Sequence, residues 1–143
     1  MRVMKFGGSC LQDGSGLPQV VARVRAAGPP LCVVVSAFKG VTDQLRDLAH
    51  AAAAGASPDL TLLTRAHARL LEGLGPEARA TGEPALAALL RELEGTLSEV
   101  RAQGATPPRL DRVLGWGERA CAQPALAHLA QAGVDAELRV GAA

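Results

Sequence analysis

The feature that most constrains the fold is a continuous apolar segment, Leu31–Val35, which contains three consecutive valines. A strand with only one buried face alternates apolar and polar residues. A continuous β-branched run is instead typical of a strand buried on both faces, as in parallel sheets with helices above and below. The segment therefore predicts an α/β fold.

The neighbouring segments extend this strand into a βαβα pattern. Arg2–Phe6 predicts a short strand, apolar spacing along Leu17–Ala27 predicts an amphipathic helix, and Val41–Ala54 predicts a second helix. A strand–helix–strand unit of this kind is almost always right-handed, and ligands gather at the carboxyl ends of its strands. We therefore expect binding groups directly after the two strands.

The middle of the chain predicts a helical excursion at about 58–108 that covers one side of the sheet. Breaks rich in glycine and proline are expected at 73–76, 81–84 and 104–108. A loose alternation along 134–140 predicts the start of a third strand. The helices expected here are Pro58–Gly73, Pro84–Gln103 and Asp111–Ala132.

Composition excludes several classes of protein. The 143 residues are 48% apolar, which suits one domain with a real core. A net charge of +1 and an aromatic content of 2% argue against a nucleic-acid partner. The three cysteines have no zinc-site spacing, so no protein-bound metal is expected. Apolar runs fall short of the roughly 18–20 residues of a membrane span. We expect a cytoplasmic protein.

The first segment with chemical potential is KFGGSC, residues 5–10. Gly7 and Gly8 would let backbone N–H groups approach an anion, and Lys5 adds a positive charge. Such a device suits phosphoryl transfer, where positioning and charge neutralisation supply most of the catalysis. The segment is neither a Walker A loop nor GxGxxG. Taken alone, it fits a plain turn at a strand end better than a binding site.

The second segment runs from Ser36, at the end of a strand, to Thr42, at the start of a helix. A helix N-terminus with hydroxyl groups nearby can bind a carboxylate or a phosphate. The alternative is structural: Thr42 or Asp43 caps the helix, and Ser36 only ends the strand.

The third segment places Gly115 and Gly117 before Glu118 and Arg119 in an otherwise helical stretch. A glycine inside a helix costs about 1 kcal/mol relative to alanine, so two in three residues need a reason. Close approach to a ligand is one reason, and a kink or tight packing is another. Glu118 is a ligand-binding carboxylate, a solvated surface charge, or a local partner of Arg119.

Taken in order, the three segments resemble the aspartate kinases of the amino-acid kinase superfamily. That pattern runs KFGG[TS]S, VVSAxxGVTD, RxxH and DxxxxxGER[LM]S. The motif SAFxGVTDQL is most similar to that of the aspartate kinases that are fused to homoserine dehydrogenase. Acetylglutamate, glutamate 5-, uridylate and carbamate kinases lack this combination. The matching residues here are 5–9, 35–43, Arg65 and Arg69 around His67, and Asp111 before Glu118.

The resemblance implies a three-layer α/β/α sandwich around a mainly parallel sheet, as in carbamate kinase-like proteins. Residues 1–143 would be its N-terminal, amino-acid-binding half. The reaction would move the γ-phosphoryl group of MgATP onto the β-carboxylate of L-aspartate. The product, 4-phospho-L-aspartate, begins lysine, threonine and methionine synthesis.

The resemblance also implies roles for individual residues. Glu118 would hold the ammonium group of aspartate, and Ser9 aligns with a hydroxyl at the phosphoryl site. His67 is given no catalytic role and is expected to be a packed or surface histidine. The residues expected to act in catalysis and on the ATP phosphates are Lys5, Gly7 and Gly8. The residues expected to bind the substrate are Ser9, Ser36, Thr42 and Glu118.

The sequence also departs from the family pattern. Cys10 and Cys121 stand where the family usually has Ser or Thr, and a thiol is the weaker hydrogen-bond partner. Cys32 is expected to be a buried small hydrophobe. The GRGGSD segment and the nucleotide pocket of the second half are not found. We therefore expect the chain alone to bind ATP poorly and not to turn over.

Several interpretations remain open at this stage. The chain is a truncated or split aspartate kinase, a non-catalytic remnant or partner subunit that associates with a complete kinase, or another small-molecule kinase of the superfamily. An unpaired sheet edge favours self-association. We therefore expect a homo-oligomer, or association with a chain that carries the missing half.

Overall fold

The computed structural model describes residues 1–141 and shows a small parallel sheet flanked by helices. Apart from one short additional helix, the first part of the chain agrees with the βαβα pattern, and a longer helical region follows. Within the described residues the elements are β1 (Arg2–Phe6), α1 (Gly8–Leu11), α2 (Leu17–Ala27), β2 (Leu31–Val35), α3 (Val41–Ala53), α4 (Thr61–Glu72), α5 (Pro76–Gln103) and α6 (Pro107–Gln131).

The two strands pair in parallel, and their carboxyl ends therefore lie together. The register runs from Arg2 opposite Leu31 to Phe6 opposite Val35. Beyond the strand, the N–H of Ser36 donates to the carbonyl of Phe6 at 3.1 Å. The prediction of an α/β fold with a parallel sheet is confirmed, and both candidate loops start at the same edge.

The two faces of this sheet differ. Val33 and Val35 face the side on which α6 packs. Side chains alternate along a strand, so Lys5 lies with Val3 and Val34 on the opposite face. There Val3 is 64% exposed and Val34 is 42% exposed. The expectation that the second strand is buried on both faces is therefore wrong within residues 1–141.

The helical middle of the chain is present, but one expected break is not. Helix α5 runs without interruption through Gly82 and Pro84, where the sequence predicts a break at 81–84. A Cβ atom at Gly82 would lie 3.0 Å from Cδ2 of Leu71. Glycine is needed there for close packing of α5 on α4, and it does not end the helix.

The expected third strand is also absent from the part of the chain that the structure describes. Residues 134–141 have no regular secondary structure. They border a cleft of about 850 Å³ that is also lined by β2 and the last turns of α6. An alternation of apolar and polar residues predicts which side chains would share a face of a strand. A strand also needs a neighbouring strand to pair with, and the alternation does not provide one.

The core lies where α3, α5 and α6 meet. Trp116 at its centre is 1% exposed, and its indole N–H donates to the carbonyl of Leu89 at 2.6 Å. Leu45, Leu97 and Val113 are fully buried in the same cluster. Among the helices of residues 1–141, none is both long enough and apolar enough to cross a membrane.

Candidate functional site

The loop after β1 packs against the loop after β2. A Cβ atom at Gly8 would lie 3.5 Å from the carbonyl oxygen of Ala37 and 3.6 Å from Cα of Lys39. The N–H of Lys39 also donates to the carbonyl of Gln12 at 2.9 Å. The glycine-rich segment and the Ser36–Thr42 segment therefore form one continuous surface at the carboxyl ends of the strands.

The start of α3 has no side-chain cap. Gly40, with φ of 83°, is its N-cap residue, and no side chain bonds to the free N–H groups of the first turn. Asp43 forms an ion pair with Arg46 at 3.0 Å. The hydroxyl of Ser36 donates to the carbonyl of Ala37 at 3.1 Å. The capping role considered for Thr42 and Asp43 is therefore wrong.

Helix α6 touches the same loop through Gly117. A Cβ atom at Gly117 would lie 3.0 Å from Cβ of Ala37 and 3.2 Å from Cγ1 of Val41. A Cβ atom at Gly115 would have open space around it. Tight packing thus explains Gly117 but not Gly115, and α6 remains helical through both positions.

The two charged residues that follow Gly117, Glu118 and Arg119, do not pair with each other. Arg119 makes a two-pronged ion pair with Glu92 of α5, at 2.6 and 3.0 Å. The hydrogen bond from Arg119 lowers the pKa of Glu92. Glu118 is exposed, and its carboxylate has no hydrogen-bond or ion-pair partner among the described side chains. The suggested local pair of Glu118 with Arg119 is therefore wrong.

Lys5 is also exposed and forms no ion pair within the described range. It lies on the uncovered face of the sheet, whereas α6 packs on the other face. The structure thus brings Gly8, Gly117 and the Ala37–Val41 segment together but places no direct contact between Lys5 and Glu118.

The three segments that converge in this way fall inside one family match. Residues 1–138 match the amino acid kinase family. The chain belongs to the amino acid kinase family. Membership indicates a kinase-type phosphoryl transfer. A comparison with curated protein sequences found no match.

Two residues that the sequence motifs do not specify lie where the loops after β1 and β2 meet in this amino acid kinase domain. Lys39 contacts Gly8 through its backbone, and Gln12 adopts φ of 52°, which is unusual for a residue other than glycine. The sequence gives one indirect signal for Lys39, because the chain has only two lysines. Nothing in the sequence singles out Gln12.

His67 of the RxxH segment is packed, as expected. It is 1% exposed, and its ring makes edge contacts with Phe38 and Trp116. The sequence reasoning gave Phe38 and Trp116 no part in the site. Their spacing along the chain carries no sign that α4 brings a histidine between them.

The three cysteines differ in their surroundings. Cys10 is exposed beside the glycine-rich loop, whereas Cys121 is buried in the core of α6. Burial raises the pKa of Cys121 to about 12. The thiol of Cys121 therefore belongs to the core of this kinase domain. Cys32 is only half-buried, on the uncovered sheet face, so the expectation of full burial is wrong.

Proposed function

We propose that this chain is the amino-acid-binding portion of an aspartate kinase, within a complete three-layer α/β/α domain. In this proposal the γ-phosphoryl group of ATP is transferred to the β-carboxylate of L-aspartate. The supporting observation is the contact of Gly117 with Ala37 and Val41. Glu118, whose carboxylate has no partner among the described residues, is the next residue along α6.

Each part of aspartate has a matching group in this arrangement. The unpaired carboxylate of Glu118 suits the ammonium group, because a charge-assisted hydrogen bond is stronger than a neutral one. Ser36 and Thr42 offer hydroxyl groups, and the uncapped N-terminus of α3 favours a carboxylate. A four-carbon diacid with an ammonium group uses all of these groups at once.

The residues after β1 fit a phosphate. Lys5 has no ion-pair partner in residues 1–141, and a side chain at Gly7 would meet nothing within 4 Å. Gly8 and Ser9 begin α1, so their N–H groups have no helical acceptor. ATP with Mg²⁺ would supply the phosphoryl group and part of its charge neutralisation. Lys5 would hold the transferring oxygens, and Gly7 and Gly8 would let them approach the backbone.

Titration calorimetry with L-aspartate tests the amino-acid side of the proposal. We expect the unaltered chain to bind aspartate and to bind succinate, which lacks the ammonium group, about 10- to 100-fold more weakly. Glu118→Gln should reduce aspartate binding to the level of succinate. Glu94→Gln, an exposed carboxylate on α5, is the matched control and should change neither affinity.

Two results would contradict this assignment. One is equal binding of aspartate and succinate by the unaltered chain. The other is aspartate affinity that does not change in Glu118→Gln. Preference for a different amino acid, lost in Glu118→Gln, would favour another small-molecule kinase of the same superfamily.

The phosphate side is tested separately with MgATP. We expect weak MgATP binding and no aspartate-dependent release of ADP from the chain alone. Addition of a chain that carries the GRGGSD half should restore turnover, and Lys5→Met should abolish the restored turnover without weakening aspartate binding. Turnover by the isolated chain would contradict the expectation of an incomplete ATP site.

The uncovered sheet face favours a second interpretation, a non-catalytic subunit that associates with a complete kinase. Val3 and Val34 are exposed there, and exposed apolar strands favour association. In this interpretation the chain binds a complete kinase but turnover is not restored by the GRGGSD half. Turnover in the mixed sample therefore distinguishes a split enzyme from an accessory subunit.

A further inference from the structure

A buried histidine lies between two segments of the candidate site. His67 of α4 is 1% exposed. The centre of its ring is 5.6 Å from that of Phe38 and 5.2 Å from that of Trp116, and both pairs meet edge to face. Edge-to-face contacts at such distances are favourable and define the relative orientation of the rings.

The hydrogen bonding of His67 selects which ring nitrogen carries the proton. Nδ1 lies 2.8 Å from the carbonyl oxygen of Leu63, so Nδ1 carries the proton and donates. Nε2 is buried and has no hydrogen-bond partner among the described residues. Burial lowers the pKa of His67. A buried polar atom without a partner is costly, so Nε2 itself does not account for the presence of a ring at this position.

Both aromatic neighbours belong to the segments that carry candidate ligands. Phe38 lies between Ser36 and Thr42, and Trp116 precedes Gly117 and Glu118. The indole of Trp116 is further fixed by its hydrogen bond to the carbonyl of Leu89. His67 therefore contacts both walls of the site from behind, and its own side chain remains in the core.

We propose that His67 is a positioning residue for the amino-acid site. Its ring sets the distance between the Ser36–Thr42 loop and Glu118 by packing between Phe38 and Trp116. This inference rests on the proposed function and adds a residue of the helical middle to the residues that decide aspartate affinity. A misplacement of about 1 Å at such a site costs on the order of 100-fold in activity.

Aspartate titration of the full chain with three variants tests this role. His67→Ala removes the ring and should weaken aspartate binding about 10- to 100-fold. His67→Phe keeps a ring of similar size and should restore the affinity to within about threefold. Leu71→Ala is the control, because Leu71 is equally buried on α4 but packs in a separate cluster with Leu86 and Ala127. It should lower stability without changing aspartate affinity.

The outcomes distinguish failure of the positioning role from failure of the proposed function. Unchanged affinity in His67→Ala overturns the positioning role, as does an equal loss in His67→Ala and Leu71→Ala. A His67→Phe variant that binds as poorly as His67→Ala also overturns it, because the ring alone would then not be sufficient. If the unaltered chain binds no aspartate, that result contradicts the proposed function itself and, with it, the positioning role of His67.

Discussion

Two glycines two residues apart in α6 have different reasons to be glycine. Replacement of Gly117 by alanine puts a methyl group 3.0 to 3.2 Å from side-chain atoms of Ala37, Leu45 and Val41. Overpacking of this kind destabilises the folded state by about 1–3 kcal/mol. The higher helix propensity of alanine stabilises it by about 1 kcal/mol. We expect Gly117→Ala to lower the free energy of unfolding by up to about 2 kcal/mol, measured by urea denaturation, and to weaken aspartate binding.

Gly115→Ala is the matched control for that change. It lies on the same helix, and a methyl group there meets nothing within 4 Å. We expect it to raise the free energy of unfolding by about 0.5–1 kcal/mol through helix propensity alone. Equal effects of the two substitutions would show that the contact of Gly117 with the loop does not constrain the site.

His67 gives the stability of the chain a pH dependence of known sign. Burial lowers its pKa in the folded state from the ordinary value of 6.5. The unfolded chain therefore takes up a proton first as the pH falls. Stability is fully present above about pH 6.5 and is lost below it, by up to about 1.4 kcal/mol per pH unit until the folded-state pKa is reached.

Urea denaturation between pH 7.5 and 5 measures this dependence. His67→Phe, which cannot take up a proton, should remove that part of the slope and keep the ring contacts with Phe38 and Trp116. An unchanged slope in His67→Phe would assign the pH dependence to other groups.

At the scale of elements, two helices of the described chain contain an internal proline. Pro84 of α5 is exposed, whereas Pro124 of α6 is buried. Proline in a helix interior removes a hydrogen bond and costs about 3 kcal/mol relative to alanine. We expect Pro84→Ala to raise the midpoint of thermal unfolding, with a gain of about 1–3 kcal/mol.

Pro124→Ala should gain less than Pro84→Ala. It restores the same backbone donor but removes two buried ring carbons, each worth about 0.8 kcal/mol. The reverse order of the two melting points would show that Pro84 has packing that its exposure does not reveal.

The elements of the first 53 residues could be predicted because local patterns decide them. The bounds expected for β1, α2 and β2 agree with the structure, since each is a short apolar or periodic run with glycine or proline next to at least one end. The break expected at 81–84 is wrong because contact with Leu71 selects Gly82. Helix α1 is only four residues long, too short to show a period in the sequence.

The site could be predicted in part for a similar reason. Glycines and charges in ordered motifs indicate which segments meet, and Gly8 and Gly117 do contact the Ala37–Val41 segment. The contact between Gln12 and Lys39 and the position of His67 arise from tertiary packing across distant elements. Motif spacing along the chain contains no record of these contacts.

For the molecule as a whole, the uncovered sheet face governs behaviour in solution. Val3 and Val34, which are diagonal neighbours on that face, should make the chain self-associate, because burial of an exposed valine is worth about 1.5–3 kcal/mol. We expect the sedimentation coefficient to rise with concentration. Val3→Thr combined with Val34→Thr should weaken the association about tenfold or more and keep the β-branched shape of the strands.

The control for this change is Leu62→Ala on α4. Leu62 is 78% exposed but lies away from the sheet, so its loss should leave self-association as it was. A chain that sediments as a monomer at all concentrations would contradict the expectation. If Leu62→Ala had as large an effect as the double variant, the surface that self-associates would include the helices and not only the strands.

The central position of Trp116 has an optical consequence. The chain contains this one tryptophan and no tyrosine, so a single indole accounts for nearly all of its near-ultraviolet emission. That chromophore touches a titratable imidazole on one side and is anchored to α5 by its N–H. The intensity and wavelength of its emission therefore report from the junction of α4, α5 and α6, with no label attached to the protein.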